Sequence, residues 1–187
     1  VSVFRRLKNA FFNCTAQFTQ TAEERPLFRV IRERNISRIV ELGIGDAERS
    51  LRMIQAAVKA NPGKTVEFAG IDLFEARHDH ARGITLKAVH RKLKSDRCRV
   101  RLLPGDPFGA LAQYANSLLG TELLVISADQ TGESLDRAWF YVPRLLAMNA
   151  SVYVEKADPK TGELVPQLVS LQEVESLAVR MRPRRAA

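Results

Sequence analysis

Ile39-Val40-Glu41-Leu42-Gly43-Ile44-Gly45-Asp46-Ala47-Glu48 is the stretch that decides how this chain folds. An apolar run of strand length meets two glycines spaced two apart, and a helix-compatible sequence follows. Strand, glycine turn and helix in that order form the first unit of a parallel α/β sheet, in which ligands bind beyond the carboxyl ends of the strands. Gly43 and Gly45 allow the turn a positive φ and a close backbone approach to a ligand. Glu41, at the strand end, would sit beside that ligand and favour a cationic or hydroxyl-rich partner.

The pattern continues on the C-terminal side. Short runs rich in Val, Ile and Leu predict strands at 38–42, 66–72, 99–103, 122–127 and 151–155, each apolar enough to be buried on both faces. Helical windows lie between them at 47–60, 82–94, 108–118 and 135–147, and Asn61-Pro62-Gly63 stops the first. Repeated βα units imply right-handed crossovers and a parallel sheet. A further strand or hairpin is predicted near 164–169, and Ser170-Leu171-Gln172-Glu173 is a capping box that starts a last helix. Residues 36–187 therefore read as one Rossmann-like, doubly wound α/β unit, mostly parallel, with helices on both faces.

Residues 1–35 read as a helical extension packed on that core. Phe4, Leu7, Phe11, Cys14 and Phe18 recur at helical spacing, Thr21-Ala22-Glu23-Glu24 is a capping box, and a second helix runs through Pro26, Leu27, Val30 and Ile31. The 187 residues, 45% hydrophobic and 27% charged, suit a single globular domain. No apolar run reaches the roughly 18 residues of a membrane span, so no membrane partner is expected. The first residues, Val1-Ser2-Val3-Phe4-Arg5-Arg6-Leu7, do not resemble a secretory leader, and Cys14 and Cys98 alone form neither a disulfide framework nor a metal motif. A cytoplasmic location is the resulting expectation.

The net charge of +8 is spread over clusters at 5–6, 29–38, 90–101 and 180–185, mostly diluted by Asp and Glu. Such a surface allows a nucleic-acid partner, although a solvated basic surface is the simpler reading.

The polar residues that could carry chemistry fall at strand ends: Glu41, Asp72 before Leu73, Asp106 after Gly105, and Asp129 in Ser127-Ala128-Asp129-Gln130. Each acid could instead cap the next helix. Four in register over successive strand ends point to one crevice. His78 and His80 follow the second strand and could shape the same pocket or belong to a solvated loop, while His90 sits in a basic helix.

On these motifs residues 36–156 resemble the class I S-adenosylmethionine-dependent methyltransferases, closest in pattern to the small O-methyltransferases. Glu41-Leu42-Gly43-Ile44-Gly45-Asp46-Ala47 is similar to that family's acidic-x-Gly-x-Gly-x-Gly motif, with Ala47 at the third glycine. The resemblance implies S-adenosylmethionine as cofactor. Glu41, Gly43 and Gly45 would line its amino-acid part, Asp72 would bind the ribose, Gly105 and Asp106 would flank the adenine, and Leu73 would also contact the cofactor. The segment from Leu124 to Asp129 would lie near the methyl group. Asp129 would contact the cofactor there and is the candidate base, with Glu155 and Lys156 as second choices.

A small-molecule acceptor is then expected. No metal site is expected, because the fourth and fifth strand ends lack a complete ligand set. The Asn/Asp-Pro-Pro-aromatic tetrapeptide of many N-methylating relatives is absent from the sequence. A nicotinamide-dependent dehydrogenase would need glycine where Glu48 stands, and its pyrophosphate would meet Asp46 and Glu48 at the helix N-terminus. Two alternatives remain: a methyltransferase-like domain that binds a cofactor or partner without turnover, and a nucleic-acid methyltransferase that uses the basic helices.

Overall fold

A computed structural model describes residues 23–77 and 84–182. The aromatic stripe of the first predicted helix, Thr21 and Ala22 of the capping box before the second, His78 and His80 lie outside the described residues.

Six strands form one sheet in the order β3-β2-β1-β4-β5-β6. They are β1 (Arg38–Leu42), β2 (Val66–Asp72), β3 (Cys98–Pro104), β4 (Thr121–Ile126), β5 (Leu146–Ala157) and β6 (Leu164–Val169). The first five are parallel, and β6 returns antiparallel on β5. Strand order reverses between β1 and β4, which places the topological switch point at the Glu41–Gly45 turn. This is the predicted Rossmann-like architecture.

Period-2 alternation divides the apolar side chains between two faces. Ile39, Phe68, Leu123 and Val125 face one side, under α1 (Arg25–Glu33), α2 (Glu48–Ala60) and α3 (Leu86–Leu93). Val40, Ile71, Leu124, Ile126 and Val152 face the other, under α4 (Pro107–Tyr114), α5 (Gly132–Ala138), α6 (Val142–Leu145) and α7 (Leu171–Arg180). Both edge strands carry a proline, Pro104 in β3 and Pro166 in β6, where a missing N–H does least harm. No helix among the described residues is long and apolar enough to cross a membrane.

Several boundaries differ from the predicted ones. The helix expected at 135–147 is two helices, α5 and α6, with Pro143 in the first turn of α6, where its ring and missing N–H are tolerated. The chain then enters β5 at Leu146, earlier than the predicted 151, because the strand opens with Leu146-Ala147-Met148, good helix formers that prolong the helical pattern. The window at 82–94 becomes α3, starting at Leu86, where the Thr85 hydroxyl accepts the Ala88 N–H at 3.2 Å. Glu24, just before α1, binds Arg52 on α2, at 2.7 and 2.8 Å, and so ties α1 to α2. The second predicted cap forms as read: Ser170 Oγ accepts the Glu173 N–H at 3.1 Å.

Candidate functional site

The parallel ladder carries the four predicted acids to one end of the sheet, and backbone bonds beyond the strands hold the loops in place. Gly43 N–H donates to Ile71 O at 2.8 Å, Ser127 N–H to Leu42 O at 2.9 Å, and Gly105 N–H to Asp72 O at 2.9 Å. The turns after β1, β2, β3 and β4 are thereby stitched into one rim.

Gly43, at φ +82°, is needed for a close approach within the protein. A Cβ there would lie 2.7 Å from Asp129 Oδ1 and 2.8 Å from Ser127 Cβ. Gly45, at φ +60°, faces open space, with nothing within 4 Å of where a Cβ would stand. Ala47 adopts φ +63° as the residue before α2, a conformation a third glycine would take without strain.

Asp72 is the most heavily engaged of the four. Its Oδ2 accepts the N–H groups of Ile44 at 2.7 Å and Gly45 at 3.2 Å, and its Oδ1 accepts the Phe74 N–H at 3.0 Å. Arg77, at the end of the 3-10 turn Phe74–Ala76, donates to both oxygens, its Nε lying 2.7 Å from Oδ1. Burial pushes the Asp72 carboxyl up, but the Arg77 hydrogen bonds, the Phe74 N–H, the Arg77 charge and the Gly45 N–H together hold it below the usual carboxylate range. Phe74 sits at φ +47°, unusual for a bulky residue, and is fixed by its bond to Asp72 and by burial.

The same Arg77 reaches across the crevice to Asp129 Oδ2 at 2.8 Å. Asp129 is exposed and also accepts the Gln130 amide at 3.1 Å. The predicted base is therefore within reach of solvent but is held by a guanidinium.

Glu41 has no exposed surface. Its carboxylate accepts Arg49 Nε at 2.8 Å and the Ser50 hydroxyl. Arg49 also binds Glu155 and the Ser127 hydroxyl, and Ser127 donates to Gly43 O at 2.6 Å. Burial, set against the Arg49 charge and the Ser50 and Arg49 hydrogen bonds, leaves the Glu41 carboxyl raised. Glu41 thus lies beneath the glycine turn, and its path to the crevice runs through Arg49 and Ser127. Glu155 also accepts the Ala128 N–H at 3.3 Å, which joins β5 to the turn after β4.

Asp106 is the cap of α4. Its Oδ1 accepts the N–H groups of Phe108 at 3.1 Å and Gly109 at 3.2 Å and the Ser134 hydroxyl, and these bonds, Ser134's foremost, lower its pKa. The capping alternative describes what this side chain does. Leu73, 39% exposed, is an apolar surface at the end of β2. Among the described residues no three His, Cys, Asp or Glu side chains gather as a metal site.

Arg49 and Arg77 are the residues that sequence reasoning missed. Each lies soon after an acid it binds, eight residues beyond Glu41 and five beyond Asp72, which was the available signal.

No family model matches the chain, and no curated protein matches it. Solved structures do. A methyltransferase from Geobacter sulfurreducens superposes with TM-score 0.50 at 20% identity, over 73% of this chain and 60% of that one. The O-methyltransferase TomG from Streptomyces achromogenes, involved in tomaymycin synthesis and solved in complex with SAM, gives 0.52 at 12% identity, over 87% and 67%. A TehB-like SAM-dependent methyltransferase from Corynebacterium glutamicum gives 0.51 at 14% identity, over 95% and 81%. The chain thus spans 60% of the length of the Geobacter protein. At these identities the likeness is one of fold alone: the Rossmann-like α/β sheet with helices on both faces.

Proposed function

We propose that this chain binds S-adenosylmethionine across the crevice at the switch point and transfers the methyl group to a small-molecule acceptor. The observation that carries the reading is the pairing of Gly45, facing open space, with Asp72 at the adjacent strand end. A carboxylate beside an open glycine turn suits vicinal hydroxyls next to a backbone that must come close.

The residues fit such a cofactor after one displacement. Asp72 would accept the ribose hydroxyls once Arg77 gives up its bonds, because the three backbone N–H donors can stay in place. Leu73 would offer an apolar surface to the adenine, beside the turn at Gly105 and Asp106. Gly43 and Gly45 would line the amino-acid end, and Glu41 would act from below by orienting Arg49. The cofactor supplies an electrophilic methyl carbon on a sulfonium. The chain's task is to align a nucleophile with it and to accept a proton where one is lost. Asp129 is the carboxylate positioned for that, with Glu155 behind it.

A second reading has a specific observation in its favour. Arg77 occupies both the ribose acid and the candidate base, so the described arrangement suits a methyltransferase-like domain that has lost turnover and kept a binding role. Calorimetric titration with S-adenosylmethionine, S-adenosylhomocysteine and NAD separates the cases. Micromolar binding of the first two and none of NAD supports the cofactor assignment, and an acceptor screen then decides turnover. Failure of all three to bind contradicts the assignment.

A further inference from the structure

The opposite end of the sheet holds a cavity of about 300 Å³ that the crevice chemistry does not use. It opens over the first residues of β1, β2 and β3, on the face that α4 and the 3-10 turn Ala115–Leu118 cover only in part. Arg38, Glu67, Arg99 and Arg101 line it, where a sheet covered along its full length would carry apolar side chains. The pairing register puts them together: Arg38 opposite Glu67, Glu67 opposite Arg99, and Ala69 opposite Arg101. Two basic clusters far apart in the sequence, 29–38 and 90–101, thus send their last arginines to one place.

Two of these arginines are seated. Arg101 donates to Ser117 O at 3.0 Å and Ser117 Oγ at 2.9 Å. Arg38 donates to Leu119 O at 2.9 Å and lies 3.1 Å from Glu67. Gly120, at φ +78°, leaves room for it, since a Cβ there would lie 2.8 Å from the Arg38 guanidinium. Each guanidinium carries five N–H donors, so both keep donors to spare. Arg99 is exposed at the same cavity.

We infer that this cavity binds a small phosphate-bearing molecule. Three arginines stand against one glutamate, and planar guanidinium groups match phosphate oxygens in paired hydrogen bonds. The volume lies at the small end of ligand sites and suits a phosphate or diphosphate group. The excess charge is too small for the many phosphate contacts of a polynucleotide track. The site is separate from the crevice and does not depend on the proposed methyl transfer.

Titration of the full chain with inorganic pyrophosphate, followed by calorimetry and by thermal shift, tests this. Saturable binding is expected, weakened by about ten-fold or more in Arg101→Ala and in Arg99→Ala. A smaller loss is expected in Ser117→Ala, which frees Arg101 without removing its charge. Circular dichroism melts of the three variants establish that they are folded. Absence of pyrophosphate binding by the wild type, or equal binding by folded Arg99 and Arg101 variants, would overturn the inference. So would a single-stranded RNA that binds where pyrophosphate does not, with a log–log salt slope steeper than about −2, since that describes a polymer track.

Discussion

Arg49 and Arg77 perform the same task in two parts of the molecule, each joining carboxylates that start on different strand ends. They differ in what surrounds them. Arg49 is 12% exposed between Glu41 at 0% and Glu155 at 14%, whereas Arg77, at 17%, joins the buried Asp72 to an Asp129 that is 45% exposed. The first bridge is largely shielded from solvent and cannot release its arginine without stranding the buried Glu41 charge. The second is open at one end, where water can replace a lost partner. One is a lock in the fold, and the other is a latch over the surface a cofactor would need.

The largest expected effect breaks the lock. Arg49→Met leaves Glu41 and Glu155 without their cation and should cost about 3–5 kcal/mol in urea denaturation. The double variant Glu41→Leu with Arg49→Met should cost less than the single one, because an unpaired buried charge is worse than none.

Asp72→Ala is expected next. It leaves the N–H groups of Ile44, Gly45 and Phe74 without their acceptor and removes the bond that steadies the positive φ of Phe74. The expected loss is about 1–3 kcal/mol of stability, with a similar loss in S-adenosylmethionine affinity if the proposed pose is right. An unchanged affinity in a folded variant would argue against that pose.

Acid titration sharpens the contrast through opposite signs. Asp72 is lowered in the native state, so its contribution is complete above the unfolded value of about 3.9 and drains away as pH falls through the native value. Glu41 is raised by burial, so the native state holds its proton longer and stability declines as pH climbs from the unfolded value of about 4.3 toward the native one. Thermal melts across the acid range should show Asp72→Asn flattening the low-pH limb and Glu41→Gln flattening the decline above it. If both variants change the same limb, the assignment of the two environments is wrong.

The smallest stability effect belongs to the latch. Arg77→Ala should cost about 1–2 kcal/mol, because three backbone donors still serve Asp72 and solvent serves Asp129. A loss as large as that of Arg49→Met would erase the distinction.

The strands were legible because runs such as Leu123–Ile126 are apolar on both faces, and the acids were legible because they lie at or just beyond the ends of such runs. Helix ends were less so, since Pro143 begins a new helix where periodicity alone continues the old one. The two arginines were hidden for a different reason. Arg77 meets Asp129 across 52 residues, and Arg49 meets Glu155 across more than a hundred, so only the folded sheet brings them together. The sequence placed Glu41 beside a ligand because it ends a strand. Whether that carboxylate points up into the crevice or down onto Arg49 depends on the first turn of α2, where Arg49 and Ser50 take both of its oxygens.

The most direct measurement is a parallel calorimetric titration of wild type and Arg77→Ala with S-adenosylhomocysteine. The expected result is binding to both, tighter in Arg77→Ala, because the arginine no longer competes for Asp72. Equal affinity would contradict the latch, and no binding to either protein would contradict the cofactor site itself.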